Sequence, residues 1–210
     1  GYKRSSLIRR VRRRTGQVGL TDHREYVDYL QVHPDEFTAL FNTILINVTG
    51  FFRDPEAWAY LRTDVLEPLV RAKADGPIRV WTAGCASGEE AYTLAMALAE
   101  VLGPDAFRDQ VKIYATDVDE EQLNEARQAT YGERAMQAVP PELVDRYFEP
   151  VGNRFIFRKD LRRSVIFGRN DLVQDAPISR VDLLTCRNPL MYFKAETQAK
   201  ILGRFHFALA

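Results

Sequence analysis

Apolar positions recur at helical spacing early in the chain. Phe37, Leu40, Phe41, Ile44, Leu45 and Val48 fall at i, i+3, i+4, i+7, i+8 and i+11, the stripe of an amphipathic helix. His33-Pro34-Asp35-Glu36 precedes it with a proline and first-turn acids, which start helices well. Ser5 to Arg14 predicts a shorter helix, closed near Gly16 and Gly19. A helical subdomain over residues 1–46 accounts for these patterns. Asp54-Pro55-Glu56 then starts another helix, with Asp54 as cap and Pro55 in the first turn. Its stripe runs through Trp58, Leu61, Val65 and Leu69, and Pro68 is expected to kink it.

After the turn Asp75-Gly76-Pro77 the pattern changes. Ile78 to Thr82 reads as a strand, Glu89 to Leu102 as a helix stopped by Gly103-Pro104, and Val111 to Thr116 as a second strand. Asp119 caps a helix to Ala129. Strand, helix, strand, helix predicts an α/β domain with a parallel sheet and right-handed crossovers. Arg154 to Phe157, Val165 to Phe167 and Val181 to Thr185 are further strand candidates, and Lys194 to Ala210 is helical. No internal repeat or low-complexity segment interrupts this order.

Composition narrows the class. With 46% apolar, 28% charged and 11% aromatic residues, 210 residues can bury a core and keep a polar surface. No stretch approaches the ~20 apolar residues of a membrane span, and no charged-then-apolar signal segment opens the chain. Cys85 and Cys186 are too few for a disulfide scaffold or a four-cysteine zinc site. The expectation is a reduced, cytosolic globular protein without a metal. The zero net charge conceals an asymmetry: Lys3, Arg4, Arg9, Arg10, Arg12, Arg13 and Arg14 all precede the first acid, Asp22. Removing these seven from the 29 bases leaves 22 against 29 acids, a remainder of −7. Such a basic head suits nucleic acid, an anionic membrane surface or an acidic protein.

The candidate chemistry lies at the strand ends. Gly84-Cys85-Ala86-Ser87-Gly88-Glu89-Glu90 joins the first strand to its helix, the place where ligands sit in open parallel sheets. It lacks the Gly-x-Gly-x-x-Gly spacing of a dinucleotide site and sets two acids where a pyrophosphate would rest. A ligand with ribose hydroxyls and positive charge fits better; an ordinary turn, with both glutamates serving the helix dipole, is the alternative. Asp117 ends the second strand, where an acid commonly accepts hydrogen bonds from both ribose hydroxyls. Turn and acid together point to a nucleoside without phosphate, with S-adenosylmethionine the leading candidate. Asn47 to Asp54 and Cys186 to Phe193 mix Asn, Thr and Arg with aromatics; each alone also reads as a packed linker.

Taken together, Asn47 to Asp54, Arg79-Val80-Trp81 through Ser87-Gly88-Glu89-Glu90-Ala91-Tyr92, Ala115-Thr116-Asp117-Val118-Asp119, Arg146-Tyr147-Phe148, Cys186-Arg187-Asn188 and Met191-Tyr192-Phe193 resemble the chemotaxis receptor glutamate methyltransferases, the CheR family. The resemblance implies a Rossmann-like S-adenosylmethionine-dependent methyltransferase domain over 47–210, with a small β insertion at 149–167. It implies methyl transfer from S-adenosylmethionine to glutamates on the acidic cytoplasmic coiled coil of chemotaxis receptors, with S-adenosylhomocysteine released. By resemblance, Asn47, Thr49, Arg53, Glu90, Asp117, Asp171, Leu172, Arg187 and Asn188 form the cofactor pocket. Arg53 and Tyr192 would act at the reacting centre, and Arg9, Arg12 and Arg13 would meet the receptor. No metal, nucleic acid or membrane insertion is implied. Pro189 stands where the family usually has an aliphatic residue. The family's last strands have no counterpart after Thr185, so an exposed sheet margin at Val181 to Thr185 and self-association of an excised domain are expected. The alternatives are an S-adenosylmethionine-dependent RNA methyltransferase and a non-catalytic module that senses the cofactor or docks receptors.

Overall fold

The computed structural model describes residues 2–44, 49–74 and 76–209, the side chains of Thr38 and Asn42 excepted. The chain forms two compact units, Gly1–Asn47 with Asn188–Lys200, and Val48–Arg187 with Ile201–Ala210.

The first unit is helical. It holds α1 (Arg4–Gln17), α2 (His23–Val32) and α3 (Pro34–Ile44). Asp22 starts α2 by accepting the N–H groups of Arg24 and Glu25 at 2.7 and 3.3 Å, which satisfies two otherwise orphaned donors. The centre of the unit is polar. Glu36, 6% exposed, takes both arms of the Arg14 guanidinium at 2.7 Å and the Tyr26 hydroxyl at 2.7 Å. Arg10 donates to the Thr43 carbonyl at 2.7 Å. This overturns the expectation of a buried apolar stripe on α3. Phe37 and Phe41 are 63% and 43% exposed, because α1 presents Arg10 and Arg14 and draws Glu36 inward instead. Leu45 and Val48 lie outside the described residues.

The Arg14 hydrogen bonds hold the Glu36 carboxyl below the usual carboxylate range, against its burial and with help from Tyr26. A folded-state pKa below the unfolded one gives stability at neutral pH that disappears as pH falls through the folded value. Glu36→Ala also strands the Tyr26 hydroxyl and one guanidinium, so it is expected to cost about 2–3 kcal/mol. Thermal melts across pH check this: the variant melts lower at neutral pH, and its acid limb is flatter than that of the parent.

The second unit is α/β. Its elements in order are α4 (Pro55–Tyr60), α5 (Glu67–Lys73), β1 (Ile78–Ala83), α6 (Glu89–Leu102), α7 (Pro104–Gln110), β2 (Val111–Asp117) and α8 (Glu120–Gln128). Next come β3 (Thr130–Gly132), α9 (Glu133–Met136), α10 (Pro141–Tyr147), β4 (Phe148–Val151), β5 (Arg154–Phe157), α11 (Lys159–Arg162), β6 (Val165–Arg169) and β7 (Leu183–Thr185). The last helix, α12 (Ala195–Leu209), opens in the first unit and ends in the second. A parallel sheet runs β6-β2-β1-β7, with Val80↔Ile113 and Thr82↔Thr185 in register. Among the described residues it has four strands, and β7 forms one margin. Helix α6 is buried along most of its length, and between Glu90 and Glu100 its Ala-rich, uncharged sequence is a core sequence.

Three details differ from the sequence reading. The expected kink at Pro68 is instead a π-helical stretch, Leu61–Leu66, between α4 and α5. A proline lacks the N–H and crowds the carbonyl four residues back, and a widened turn absorbs both. Asp54 does not cap α4 with its side chain; its backbone is left-handed (φ 58°), and its carboxylate pairs with Arg187. The small β insertion is not 149–167. It is the antiparallel sheet β3-β5-β4, drawing on Thr130–Gly132, whereas Val165–Arg169 belongs to the parallel sheet. No helix among the described residues is long and apolar enough to cross a membrane.

Candidate active site

The carboxyl ends of the parallel strands carry the site. The loop after β1 turns back over β2, with the Gly84 and Cys85 N–H groups both donating to the Thr116 carbonyl at 2.7 and 3.0 Å. Gly88 then opens α6 with φ +92°, and a Cβ there would lie 2.9 Å from the Ala126 Cβ. Glycine is required on both counts. The Tyr131 hydroxyl donates to the Ser87 carbonyl at 2.9 Å and braces the loop from the small sheet.

Asp117 closes β2 across from this loop. Its Oδ2 accepts the Ala86 N–H at 2.8 Å and its Oδ1 the Asp119 N–H at 3.0 Å. Burial pushes its pKa up, against the backbone N–H groups of Asp119, Ala86 and Val118. These backbone N–H groups do not exhaust a carboxylate's roughly four acceptor positions, so it can still accept a ligand hydroxyl.

Glu90, in the first turn of α6, points at the sheet rather than serving the helix dipole alone. Its Oε1 accepts the hydroxyls of Thr82 (3.0 Å) and Thr185 (2.8 Å). Its Oε2 lies 3.9 Å from an Arg187 nitrogen. Glu89, by contrast, accepts the Ser87 hydroxyl at 2.7 Å, and burial raises its pKa.

Arg187 follows β7 and secures the segment before α4. One nitrogen donates to the Arg53 carbonyl and to Asp54 Oδ2, both at 2.6 Å, and the guanidinium sits 5.4 Å from the centre of the Trp58 ring. The Trp58 indole N–H donates to the same carbonyl at 2.9 Å, and the Phe52 N–H to the Thr93 hydroxyl at 3.3 Å. Phe52 and Asp54 are held at φ 47° and 58°, conformations that bulky L-residues adopt only when their surroundings impose them.

Of the residues singled out in the sequence, Arg53, Glu90 and Arg187 therefore gather in one charged cluster, and Asp117 closes the loop beside it. Arg187 is engaged by the Arg53 carbonyl, by Asp54 and by Glu90. Thr49 is half-buried in the approach to Phe51. Asp171 and Leu172 follow β6: the Asp171 carboxylate accepts the Val173 N–H at 2.8 Å within its own turn, and the Leu172 carbonyl accepts from Arg204 at 3.2 Å. Asn47 lies outside the described residues. Asn188 and Tyr192 belong to the first unit, where Asn188 (φ 76°) leads the 3-10 turn Pro189–Tyr192 and the Tyr192 carbonyl accepts the Lys3 N–H at 2.9 Å. Pro189 is accommodated at the start of that turn, where a missing N–H costs little. Arg9, Arg12 and Arg13 are exposed on α1, whereas Arg10 and Arg14 face inward, so the basic face is narrower than the sequence run.

The sequence reading missed Thr82, Thr185, Tyr131 and Asn170, whose N–H donates to the Asp117 carbonyl at 2.9 Å. The available signal was a threonine at the alternate position that follows the apolar Ile78 and Val80, eight residues before Glu90. Among the described residues, no group of three or more His, Cys, Asp and Glu side chains could hold a metal ion.

A loop braced for close approach, a strand-end carboxylate with acceptor capacity to spare and a second buried carboxylate fit a nucleoside that carries positive charge. The class is that of an S-adenosylmethionine-binding methyltransferase: residues 47–210 match the CheR methyltransferase SAM binding domain, and residues 1–45 the CheR methyltransferase all-alpha domain. The chain is 32% identical over 212 residues to the chemotaxis protein methyltransferase of Escherichia coli, covering 97% of this chain and 71% of that protein. It is 32% identical over 196 residues to that of Borreliella burgdorferi, covering 90% and 69%. It is 39% identical over 209 residues to an uncharacterized 104.1 kDa protein of Rhodobacter capsulatus, covering 99% of this chain and 22% of that protein's length. The chain belongs to the CheR methyltransferase family.

Proposed function

We propose that the chain transfers the methyl group of S-adenosylmethionine to glutamate side chains of chemotaxis receptors, in the cytoplasm, giving glutamate methyl esters and S-adenosylhomocysteine. The observation that carries this reading is the pair of anchored carboxylates, Asp117 and Glu90, at the strand ends of a domain that matches the family's cofactor-binding domain. The cofactor supplies a methyl group activated on a cationic sulfur. Asp117 receives the ribose hydroxyls, Glu90 faces the positive end, and Arg53, steadied by Arg187, receives the methionine carboxylate. Asn47, Thr49, Asp171, Leu172 and Asn188 complete the pocket in this reading, and Tyr192 acts beside the methyl group.

The chemistry asks little of acids and bases. A substrate glutamate, with an ordinary pKa near ~4.3, is ionised at neutral pH and attacks without a general base. Opposite charges cancel in that step, so alignment and exclusion of water supply the rate. The exposed Arg9, Arg12 and Arg13 then serve to draw an acidic receptor helix toward the site.

A methyl-transfer assay with receptor fragments and RNA side by side tests this. Base-labile label on the receptor fragment is expected. Reversing Arg9, Arg12 and Arg13 to glutamate should raise the receptor KM and flatten its salt dependence, because exposed charges act over ~10 Å at 0.1 M salt. Cofactor affinity should stay unchanged. Label on RNA, or cofactor binding without turnover on any receptor fragment, overturns the reading.

A further inference from the structure

Thr82 and Thr185 are partners in register on adjacent strands β1 and β7. Both hydroxyls donate to the same oxygen, Oε1 of Glu90, at 3.0 and 2.8 Å. Thr82 is fully buried and Glu90 is 9% exposed. Packing does not require hydroxyls here, since valine fills nearly the same volume. Ile78 and Val80, fully buried four and two positions earlier on β1, are apolar. The arrangement directs the other oxygen, Oε2, to the Arg187 side of the site.

We propose that Thr82 and Thr185 are positioning residues that fix the orientation and the negative charge of Glu90 for recognition of the cofactor. This rests on the reading of Glu90 as a cofactor contact and adds what makes that contact possible. Burial alone would neutralise a carboxyl in this place. It pushes the Glu90 pKa up, and the hydroxyls of Thr185 and Thr82 oppose it, followed by Arg187 and Arg53. The other ionisable groups that face Glu90 are two thiols. Cys186, beyond β7, is pushed up to about 12 by burial, and Cys85, beyond β1, is likewise raised by burial. Both are neutral at ordinary pH. Of the two guanidiniums, Arg187 is shared with Asp54 at 2.6 Å. The threonine pair is thus the part of the support devoted to Glu90 itself.

The sign of the pH effect follows. Without the hydroxyls the Glu90 pKa rises further, so the carboxylate, and the affinity with it, is lost at a higher pH than in the parent chain. The test is calorimetric binding of S-adenosylhomocysteine across pH for the parent chain, Thr82→Val/Thr185→Val, Thr82→Ser/Thr185→Ser and Glu90→Gln. The valine pair should weaken binding about tenfold at neutral pH, the scale of a lost hydrogen bond to a charged group, and more steeply toward acid. The serine pair should restore both the affinity and the pH profile of the parent, whereas Glu90→Gln should bind weakly at every pH. If the double valine variant fails to fold, Thr185→Val alone, at the sheet margin, carries the same readout. Weak binding by Glu90→Gln together with an unchanged or pH-independent response to valine overturns the role of the threonines alone. Unchanged binding by Glu90→Gln removes Glu90 from the cofactor site and the threonine proposal with it.

Discussion

Replacing Asp117 with alanine lowers cofactor affinity by about ten- to a hundredfold, because two hydrogen bonds to a charged acceptor are worth roughly 1.5–3 kcal/mol. The carboxylate has a second task that enlarges the effect. Besides the proposed contact with the ribose, it receives the N–H groups of Ala86 and Asp119. Alanine frees both amides, so the loop from Gly84 to Gly88 loses its tie to β2 at Ala86. Asp117→Asn separates the two parts: one amide oxygen keeps a backbone partner, but the negative charge is gone. Calorimetry with S-adenosylhomocysteine, alongside melting temperature, is the measurement. An unchanged dissociation constant for Asp117→Ala would take this residue out of the site.

Arg187→Ala is expected to lose about tenfold in cofactor affinity through a different route. The guanidinium reaches back 134 positions along the chain to the Arg53 carbonyl and also engages Asp54 and Glu90. Phe52 and Asp54, both at positive φ, each store about 1–3 kcal/mol that relaxes when the restraint is removed. The segment ahead of α4 then samples other conformations and carries Arg53 away from its place. Amide hydrogen exchange in residues 51–54 should accelerate together with the affinity loss. Arg187→Lys should not rescue it, since a single ammonium cannot serve the Arg53 carbonyl and Asp54 while a second nitrogen faces Glu90. Full rescue by lysine would mean that charge alone matters there.

These two residues mark the boundary of what could be read from the chain. The alternation from Ile78 to Gln128 was legible, the short α7 after Gly103 excepted, because the other elements there announce themselves locally. The strands are apolar runs, α6 ends at Gly103-Pro104, and Asp119 caps α8 through its own neighbours. Asp117 was legible for the same reason, as an acid at a strand end followed by a second acid that takes the capping role. Asp54 was misread because Asp-Pro is a good local start signal, while the arginine that claims its carboxylate lies 133 residues away. Strand β3 was missed because three residues carry no period. It exists only through pairing with Arg154–Ile156. The helical unit departed from its pattern: Phe37 and Phe41 belong to the apolar stripe but are exposed, and the buried Glu36 with its half-buried partner Arg14 faces inward instead. Thr82 and Thr185 illustrate the remaining gap, for their partnership depends on strand register that local patterning does not reveal.

The small antiparallel sheet has two ends with different evolutionary freedom. Its base is woven into the active-site scaffold, with Tyr131 reaching the Ser87 carbonyl and packing on Phe51, and Phe157 against Tyr92. Its far end, Val151 to Arg154 with Gly152 at φ 60°, is exposed and touches none of this. Insertions at that turn can accumulate, lengthen the hairpin and acquire new recognition without disturbing methyl transfer. Deletions that reach the base remove the brace beneath the loop. The hairpin is therefore a region that lineages can extend at low cost and cannot discard.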